Sequence, residues 1–273
     1  MEKLISYFSD LEKRPLERAG FFIAGMVLLW LIENAVPLIN MNYKKSKGKH
    51  ASINISFTAI HFIIHTLLAG GIIFIADWTE KNNFGLVHIG SISPLAVILI
   101  TCLVLDFFAG WLCHFVEHHV PLFWRFHIIH HADNNVDVTT GLRHHPLESV
   151  WRGIFFYIGI FAAGSPMYAV LLYQTLLVFI TGFTHANVSL PVWLDKAISW
   201  VLVSPNMHKV HHHWKQPYTD SNYGAVFSIW DRLLGTFMKL NPKKIQYGLD
   251  RYYPNEKDED FIALMKRPFE KLK

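Results

Sequence analysis

Histidine is the residue type whose spacing in this sequence most clearly indicates chemistry, because eight of the 17 histidines stand in three short clusters. The clusters are His114 with His118, His127 with His130 and His131, and His208 with His211 and His212. On a helix, residues three and four positions apart lie on one face, so each cluster presents two or three imidazoles in one direction. Two imidazoles placed in this way can chelate one metal ion, as in the helical motif of zinc proteases.

The number of imidazoles predicts two metal ions rather than one. A tetrahedral zinc ion takes four ligands at most, and the three clusters offer twice that number. Imidazole suits zinc, copper, iron and nickel alike, and the Glu-x-x-His helices of soluble di-iron proteins are absent from the sequence. The identity of the metal therefore stays open at this point. The alternative is that the clusters are an accident of composition, or a surface that chelates metal without a function.

The other histidines and the two cysteines have simpler interpretations. Cys102 and Cys113 are eleven positions apart, which is about 16 Å along one helix and too far for a disulfide bond. We therefore expect them to be buried thiols. Four histidines outside the clusters are expected to be core residues without a metal: His50, His61, His65 and His88.

The composition indicates a protein that lies in lipid. Hydrophobic residues make up 52% of the 273 residues and charged residues only 17%, whereas a soluble domain carries roughly 25% charged residues. The net charge of +4 is small, and no basic block stands beside aromatic residues. Disorder and nucleic-acid binding are therefore poor fits.

Four apolar regions follow one another along the chain, at residues 20–39, 51–76, 94–111 and 150–184. About 20 helical residues cross a bilayer core, so we expect the first three regions to be membrane spans. Ser93 and Pro94 suit the N-terminus of the third helix, which should end before Pro121. The fourth region is broken at Gly164-Ser165-Pro166, which predicts a transmembrane or re-entrant hairpin. The alternative for each region is a buried helix of a soluble protein.

The loops between these regions predict an orientation. The loop at 40–50 holds four lysines and no acid, so it should be cytoplasmic by the positive-inside rule. All three clusters then lie on the cytoplasmic side. We predict an all-α fold, a polytopic membrane helical bundle with a cytosolic helical cap that holds a histidine-rich dimetal site. The expected divisions are an N-terminal segment 1–19, transmembrane helices 20–113, a cytosolic metal-binding region 114–149, the hairpin 150–184, the cap 185–240 and a C-terminal tail 241–273.

Several stretches in a fixed order resemble the fatty acid hydroxylase/sterol desaturase superfamily of integral-membrane di-iron oxygenases. The resemblance extends from about residue 106 to residue 237. The stretches are 122–131 (LFWRFHIIHH), 137–148 (DVTTGLRHHPLE), 184–187 (THAN), 204–212 (SPNMHKVHH), 220–224 (DSNYG) and 230–237 (WDRLLGTF). The sequence departs from the family pattern at Gly110, where tyrosine is common, and at Phe115, where arginine is common.

The resemblance adds ligands to the three clusters. It places His145, rather than His144, at a family histidine, and it implies that His185 completes the site. His119, His144 and His213 adjoin motif positions and are expected to be non-ligands. Asp106 lies on the third span, where a carboxylate usually has a partner. It is either a hydrogen-bond acceptor behind a ligand imidazole or one end of an interhelix hydrogen bond.

The resemblance also implies a function. Two iron ions, which zinc can replace, would use O2 to hydroxylate or desaturate a C–H bond of a lipid, such as a sterol or a fatty acyl chain. Electrons would come from an external donor, namely a cytochrome, a ferredoxin or a reduced pterin, because the sequence has no Gly-rich dinucleotide motif and no haem-attachment motif. Arg143 and Glu148 are expected to brace the cap.

Two other classes of protein remain as alternatives. A membrane metal carrier should have its ligands along a path through the bilayer, whereas these clusters follow the spans at one face. A zinc-dependent membrane lipid hydrolase needs an open water position and a general base. Glu117 is the nearest candidate for that base, but the clusters hold more imidazoles than such an enzyme uses.

Overall fold

The computed structural model describes residues 2–11, 13–43, 46–249 and 259–270, and over these residues the protein is almost entirely helical. The described residues form isolated β-bridges but no strand. The α-helices are α1 (Glu2–Leu11), α2 (Pro15–Ala35), α3 (Lys47–Lys81), α4 (Pro94–Leu105), α5 (Cys113–His119), α6 (Pro121–His131), α7 (Glu148–Ala163), α8 (Met167–His185), α9 (Val192–Ile198), α10 (Pro205–His211), α11 (Ile229–Leu233) and α12 (Phe261–Lys266). The prediction of an all-α fold is confirmed.

Four helical stretches are long and apolar enough to cross a membrane. They are Pro15–Ala35, Lys47–His88, Pro94–His119 and Met167–His185. The first three overlap the three predicted spans, and the fourth is the second arm of the predicted hairpin. The first arm, α7, has 16 residues, which is shorter than the roughly 20 residues that cross a bilayer core. These four candidate spans confirm the prediction of a polytopic membrane helical bundle.

The third span carries the first histidine cluster because it continues beyond α4 without a break. The Ser93 side chain caps its N-terminus by accepting a hydrogen bond from the Ala96 amide at 3.3 Å. After Leu105 the helix widens into a π-helical segment, Asp106–Leu112, and then continues as α5. Such a segment adds a residue and rotates the helix that follows it. Helix α5 ends at His119, before Pro121 as expected.

The two arms of the hairpin, α7 and α8, meet at a glycine that no other residue type can replace without strain. Gly164 has a left-handed backbone with φ of 72°, and a Cβ at this position would overlap the carbonyl oxygen of Phe84. Glycine adopts such a backbone at no steric cost. The tight turn returns α8 through the bundle, so His185 at its C-terminus lies beside α10.

A buried carboxylate ties the first span to the histidine-bearing segments. Glu33 on α2 is 1% exposed and accepts hydrogen bonds from the amides of Val138 and Asn187, both at 3.0 Å. Its other oxygen pairs with the Lys47 ammonium at 2.6 Å. Lys47 is one of the four lysines that predicted the orientation, and two others, Lys44 and Lys45, lie outside the described residues.

Candidate metal centre

Nine of the ten predicted metal ligands come together in two adjoining groups where α5, α6, α8 and α10 meet. The first group, which we call the five-histidine group, consists of His114, His118, His127, His131 and His211. The second, the four-histidine group, consists of His130, His185, His208 and His212. In each group one nitrogen per ring lies within 4.8 Å of all the others. Such a spacing allows one ion to contact every ring of a group.

Helices α6 and α10 each contribute to both groups. On α6, His127 and His131 face the five-histidine group, while His130 faces the other. On α10, His211 faces the five-histidine group, while His208 belongs to the four-histidine group. Successive helical residues point in directions that differ by about 100°, so one cluster reaches two centres. The ring centroids of His131 and His212, one from each group, are 4.7 Å apart.

The hydrogen bonds behind the five-histidine group determine which nitrogen is free in four of its five rings. The Nδ1 of His114 donates to the Tyr223 carbonyl at 2.9 Å, and the Nδ1 of His211 donates to the Ser221 carbonyl at 2.7 Å. Because a carbonyl only accepts, each Nδ1 carries the proton and each Nε2 carries a lone pair. The lone pairs therefore point into the group.

Two carboxylates act in the same way on other rings of the five-histidine group. The Nδ1 of His118 lies 3.1 Å from Asp220 Oδ1, and the Nδ1 of His127 lies 3.0 Å from Glu148 Oε1. A carboxylate behind a ligand imidazole fixes its tautomer and makes the ligand nitrogen more basic. The Nε2 atoms of His114 and His127 are only 3.1 Å apart. Two lone pairs at this distance repel each other unless a cation lies between them.

In the four-histidine group, a hydrogen bond behind His185 likewise fixes which of its nitrogens is free. Its Nδ1 donates to the Thr181 carbonyl at 2.7 Å, so its Nε2 has a lone pair. That one nitrogen lies 3.1, 3.0 and 3.2 Å from the Nε2 atoms of His130, His208 and His212. One lone pair cannot accept three hydrogen bonds, whereas nitrogens bound to one ion at about 2.1 Å stand roughly 3.0–3.4 Å apart. The residues of both groups therefore fit a bound metal ion.

Burial keeps these imidazoles neutral, which is the form that binds a metal. Burial lowers the pKa of five ligand candidates well below the usual range, and nearby imidazoles add to the effect: His130, His131, His208, His211 and His212. Burial also lowers the pKa of His127 to about 3, although Glu148 opposes the shift. The site is thus a buried set of neutral nitrogen donors at neutral pH.

A buried ion-pair network supports the five-histidine group from outside. Arg152 on α7 contacts Glu117 at 2.5 Å and Glu148 at 2.8 Å, and both carboxylates are fully buried. Glu117 also accepts a hydrogen bond from the Trp151 indole at 2.9 Å. The general-base candidate of the hydrolase alternative is therefore held by an arginine and an indole.

The structure places His145 and His144 differently from the expectation. His145, the predicted ligand, lies outside both groups, where its Nε2 is 3.3 Å from the Met265 carbonyl and its Nδ1 accepts from the Leu147 amide at 3.2 Å. His144, the predicted non-ligand, stacks on the ring of His130 with centroids 4.3 Å apart. Its Nδ1 lies 2.8 Å from Glu148, in a third group of His127, His144 and Glu148 that could hold a metal ion.

Asp106 makes an interhelix hydrogen bond, which is one of the two roles that the sequence left open. Its carboxylate accepts from the Tyr173 hydroxyl at 3.2 Å and from the amides of Val226 and Phe227 at 2.9 and 3.0 Å. In the described part of the chain, its hydrogen-bond partners are this hydroxyl and these two amides rather than a ligand histidine. Asp106 therefore ties the π-helical segment to α8 and to the chain that follows the third cluster.

Sequence reasoning missed three functional candidates, which are Asp220, Arg152 and Tyr223. Tyr223 is fully buried, and its ring centroid is 5.2 Å from that of His118. Asp220 and Tyr223 lie in the stretch 220–224, which carried part of the resemblance. The sequence therefore marked this stretch but did not indicate what either side chain does. Arg152 had no signal, because only the fold brings it to Glu117.

The fold and the site define a class of protein, namely a helical protein with four candidate membrane spans and histidine groups able to hold metal ions. The fatty acid hydroxylase family model matches residues 98–236, about half of the chain, and the chain belongs to this family. The resemblance seen in the sequence is thereby confirmed. No solved structure gives a significant match.

Curated relatives with a named activity are similar over more than half of the chain. An alkylglycerol monooxygenase of Xenopus tropicalis is 32% identical over 62% of this chain and 36% of its own length. The ornithine lipid hydroxylase OlsE of Rhizobium tropici is 27% identical over 64% of this chain and 51% of its own length. A very-long-chain aldehyde decarbonylase, GL1-7 of Oryza sativa, is 23% identical over 79% of this chain and 36% of its own length. The chain thus spans about a third to a half of these relatives.

Proposed function

We propose that this protein is a membrane-bound di-iron oxygenase that hydroxylates or desaturates a C–H bond of a lipid with O2 and external electrons. The observation that carries the proposal is the convergence of imidazole lone pairs in two adjoining groups at the end of candidate membrane spans. Two iron ions in these groups would supply reductive activation of O2 and removal of a hydrogen atom from an unactivated carbon. Zinc would bind the same nitrogens without redox chemistry.

The chain's own residues hold, orient and isolate the metals. The nine grouped histidines are the proposed ligands. Asp220 and Glu148 accept the Nδ1 protons of His118 and His127 and hold these rings in position. Arg152 pairs with both Glu148 and Glu117 in the protein interior, where an unpaired carboxylate would be costly. Burial of the rings excludes bulk water, which protects a reactive centre from side reactions.

The relatives narrow the substrate class. Two of them are named for action on an alkylglycerol and on an ornithine lipid, so we propose a lipid that the protein takes from the bilayer. The electron donor is a separate cytochrome, ferredoxin or reduced pterin. The metal groups are proposed to lie on the cytoplasmic side, in keeping with the four lysines at residues 40–50.

The geometry favours this function over the two alternatives. A zinc hydrolase would need a carboxylate free to deprotonate water, and Glu117 is ion-paired with Arg152. A carrier would need ligands along a path through the bilayer, and the two groups instead adjoin each other at the ends of α5 and α8.

The test is metal analysis of the purified full chain together with O2 uptake in the presence of a reductant and a lipid panel that includes alkylglycerols and ornithine lipids. We expect about two irons per chain and lipid-dependent O2 uptake. His118→Ala should lose iron and uptake, while His119→Ala, the next residue, should keep both because His119 is exposed and bonded to the Phe115 carbonyl. Stoichiometric zinc with lipid hydrolysis and no O2 uptake would refute the proposal.

A further inference from the structure

Part of the cap exposes large apolar side chains that no described residue covers. We call this surface the cap face, and it consists of Val192, Trp193, Trp200, Val201, Ile229, Leu233 and Leu234. The exposed fractions of Val192, Trp193 and Leu233 are 82%, 71% and 68%. A contiguous apolar surface of this kind marks contact with a protein or a membrane.

Hydrogen bonds between its two segments make the cap face a single surface. The Ser228 amide donates to the Val201 carbonyl at 3.1 Å, and Leu202 pairs with Phe227 in an antiparallel bridge. The Arg232 guanidinium donates to the Ser199 carbonyl at 2.6 Å. Residues 199–202 and 227–232 therefore lie side by side, and α9 leads directly into the first of these segments, so the exposed apolar side chains belong to neighbouring parts of the cap.

The third span gives the depth of this face. Trp230 on α11 contacts Phe107, with ring centroids 5.0 Å apart. Phe107 follows Pro94, the first residue of the span, by thirteen positions, which is about 20 Å along the helix axis. A bilayer core is about 30 Å thick. If the span begins at one edge of the core, Phe107 and the cap residues beside it are still at the depth of lipid tails.

The charged side chains at the edge of this surface are basic, as expected for contact with lipid headgroups. Arg232 lies over the Trp200 ring at 4.6 Å and over the Phe237 ring at 4.0 Å, and Lys196 is exposed. The acids of the same helices turn inward, since Asp231 accepts from the Tyr223 and Gly224 amides and Asp195 accepts from the Asn206 amide. Tryptophan with basic side chains is typical of the membrane interface.

We propose that the cap face is a membrane-docking surface and that its partner is the lipid bilayer. Helices α9 and α11 lie partly inside the leaflet next to the third span, so the cap is inserted in the membrane rather than suspended in the cytosol. Continuity with the span through Phe107 and Trp230 selects the bilayer over a second protein as the occupant. This inference depends on the spans and not on the metals.

The test places single cysteines on the full chain in nanodiscs of phosphatidylcholine and phosphatidylglycerol. Trp193→Cys, Trp200→Cys and Leu233→Cys report on the cap face, and Lys215→Cys in the cap and Lys243→Cys in the C-terminal tail are controls at exposed positions outside it. The native cysteines are buried. With a bimane label, we expect the three test positions to be quenched several-fold more by nitroxide lipids, and several-fold less by iodide, than the two controls.

Two results would overturn the proposal. Iodide quenching equal to that of the controls would place the face in water. Protection from iodide without quenching by nitroxide lipids, together with crosslinks between chains, would show that a second copy covers it. Since the variants alter exposed side chains, an unchanged helical circular dichroism spectrum is expected and serves as the folding control.

Discussion

At the scale of single residues, the atoms behind the histidines decide how the site is prepared for a metal. The five-histidine group has carboxylates behind His118 and His127, whereas the described contacts of the four-histidine group include a carbonyl behind His185 and no carboxylate. Negative charge behind a ligand strengthens its bond to a cation. The two groups are therefore electrostatically unequal, although both are built from imidazole.

Replacing Asp220 by asparagine should weaken metal binding at one group. Asp220→Asn keeps an acceptor for the Nδ1 of His118 but removes the charge, so we expect the affinity of the five-histidine group to fall by roughly 10- to 100-fold. The other group should change much less. Competition with a chelator measures both constants. Gln216→Ala is the matched control, because Gln216 holds the other oxygen of Asp220 without contributing a charge, and an equal loss in this variant would contradict the electrostatic explanation.

The buried neutral imidazoles also predict how the stability of the metal-free protein depends on pH. Because burial lowers the pKa of His127 and His131 in the folded state, the unfolded chain binds more protons below its histidine pKa of about 6.5. The contribution of these rings to the free energy of unfolding should be constant above that pH and should fall steadily as the pH decreases from about 6.5 towards 3. Denaturant titrations of the metal-free protein between these values provide the measurement. Stability that rises on acidification would contradict the assignment of neutral rings.

At the scale of elements, α12 supports the helix that carries the second histidine cluster. Leu264 is fully buried in a cluster with Ile128 and Ile129 of α6. Arg125 of α6 donates from its Nε to the Pro268 carbonyl at 2.7 Å. The C-terminal tail had no predicted role, and the contacts of its residues 259–270 hold α6 in place. Most of the rest of the tail lies outside the described residues.

Leu264→Ala should therefore lower both stability and metal content. A buried leucine-to-alanine change lowers the free energy of unfolding by about 2–5 kcal/mol. Here the lost packing is against α6, the helix that carries His130, so the position of this ligand should also be disturbed. Ile262→Ala is the matched control, because Ile262 on the same helix is 58% exposed. Denaturation curves and metal analysis of the two variants give the comparison. Equal effects of the two changes would show that α12 does not support α6 through its buried face.

Much of the arrangement of elements followed from local pattern. The i, i+4 spacing of His114 and His118 predicted their common face, and the apolar runs predicted the spans, because both signals depend on neighbours within one helix. The π-helical segment was not predicted, since Asp106 is held by Val226 and Phe227, some 120 positions away. His144 and His145 are adjacent, so only the packing against His130 distinguishes them.

At the scale of the whole molecule, the spans predict which loops share a side of the membrane. The exposed Lys215 follows the third cluster, and the exposed Ser91 precedes the third span. A membrane-impermeant thiol reagent should label Lys215→Cys only from the cytoplasmic side and Ser91→Cys only from the opposite side. Labelling of both positions from one side would contradict the proposed topology, while exchange of the two sides would reverse the orientation and leave the topology intact.

The shared use of α6 and α10 by both histidine groups has a mechanical consequence. A small rotation of α6 that brings His127 and His131 nearer to one ion carries His130 away from the other. A change that moves α6 should therefore alter the metal occupancies of both groups together, unlike a change such as Asp220→Asn that acts through a single histidine on α5. A displacement of α6 is therefore expected to weaken metal binding in both groups rather than in one of them.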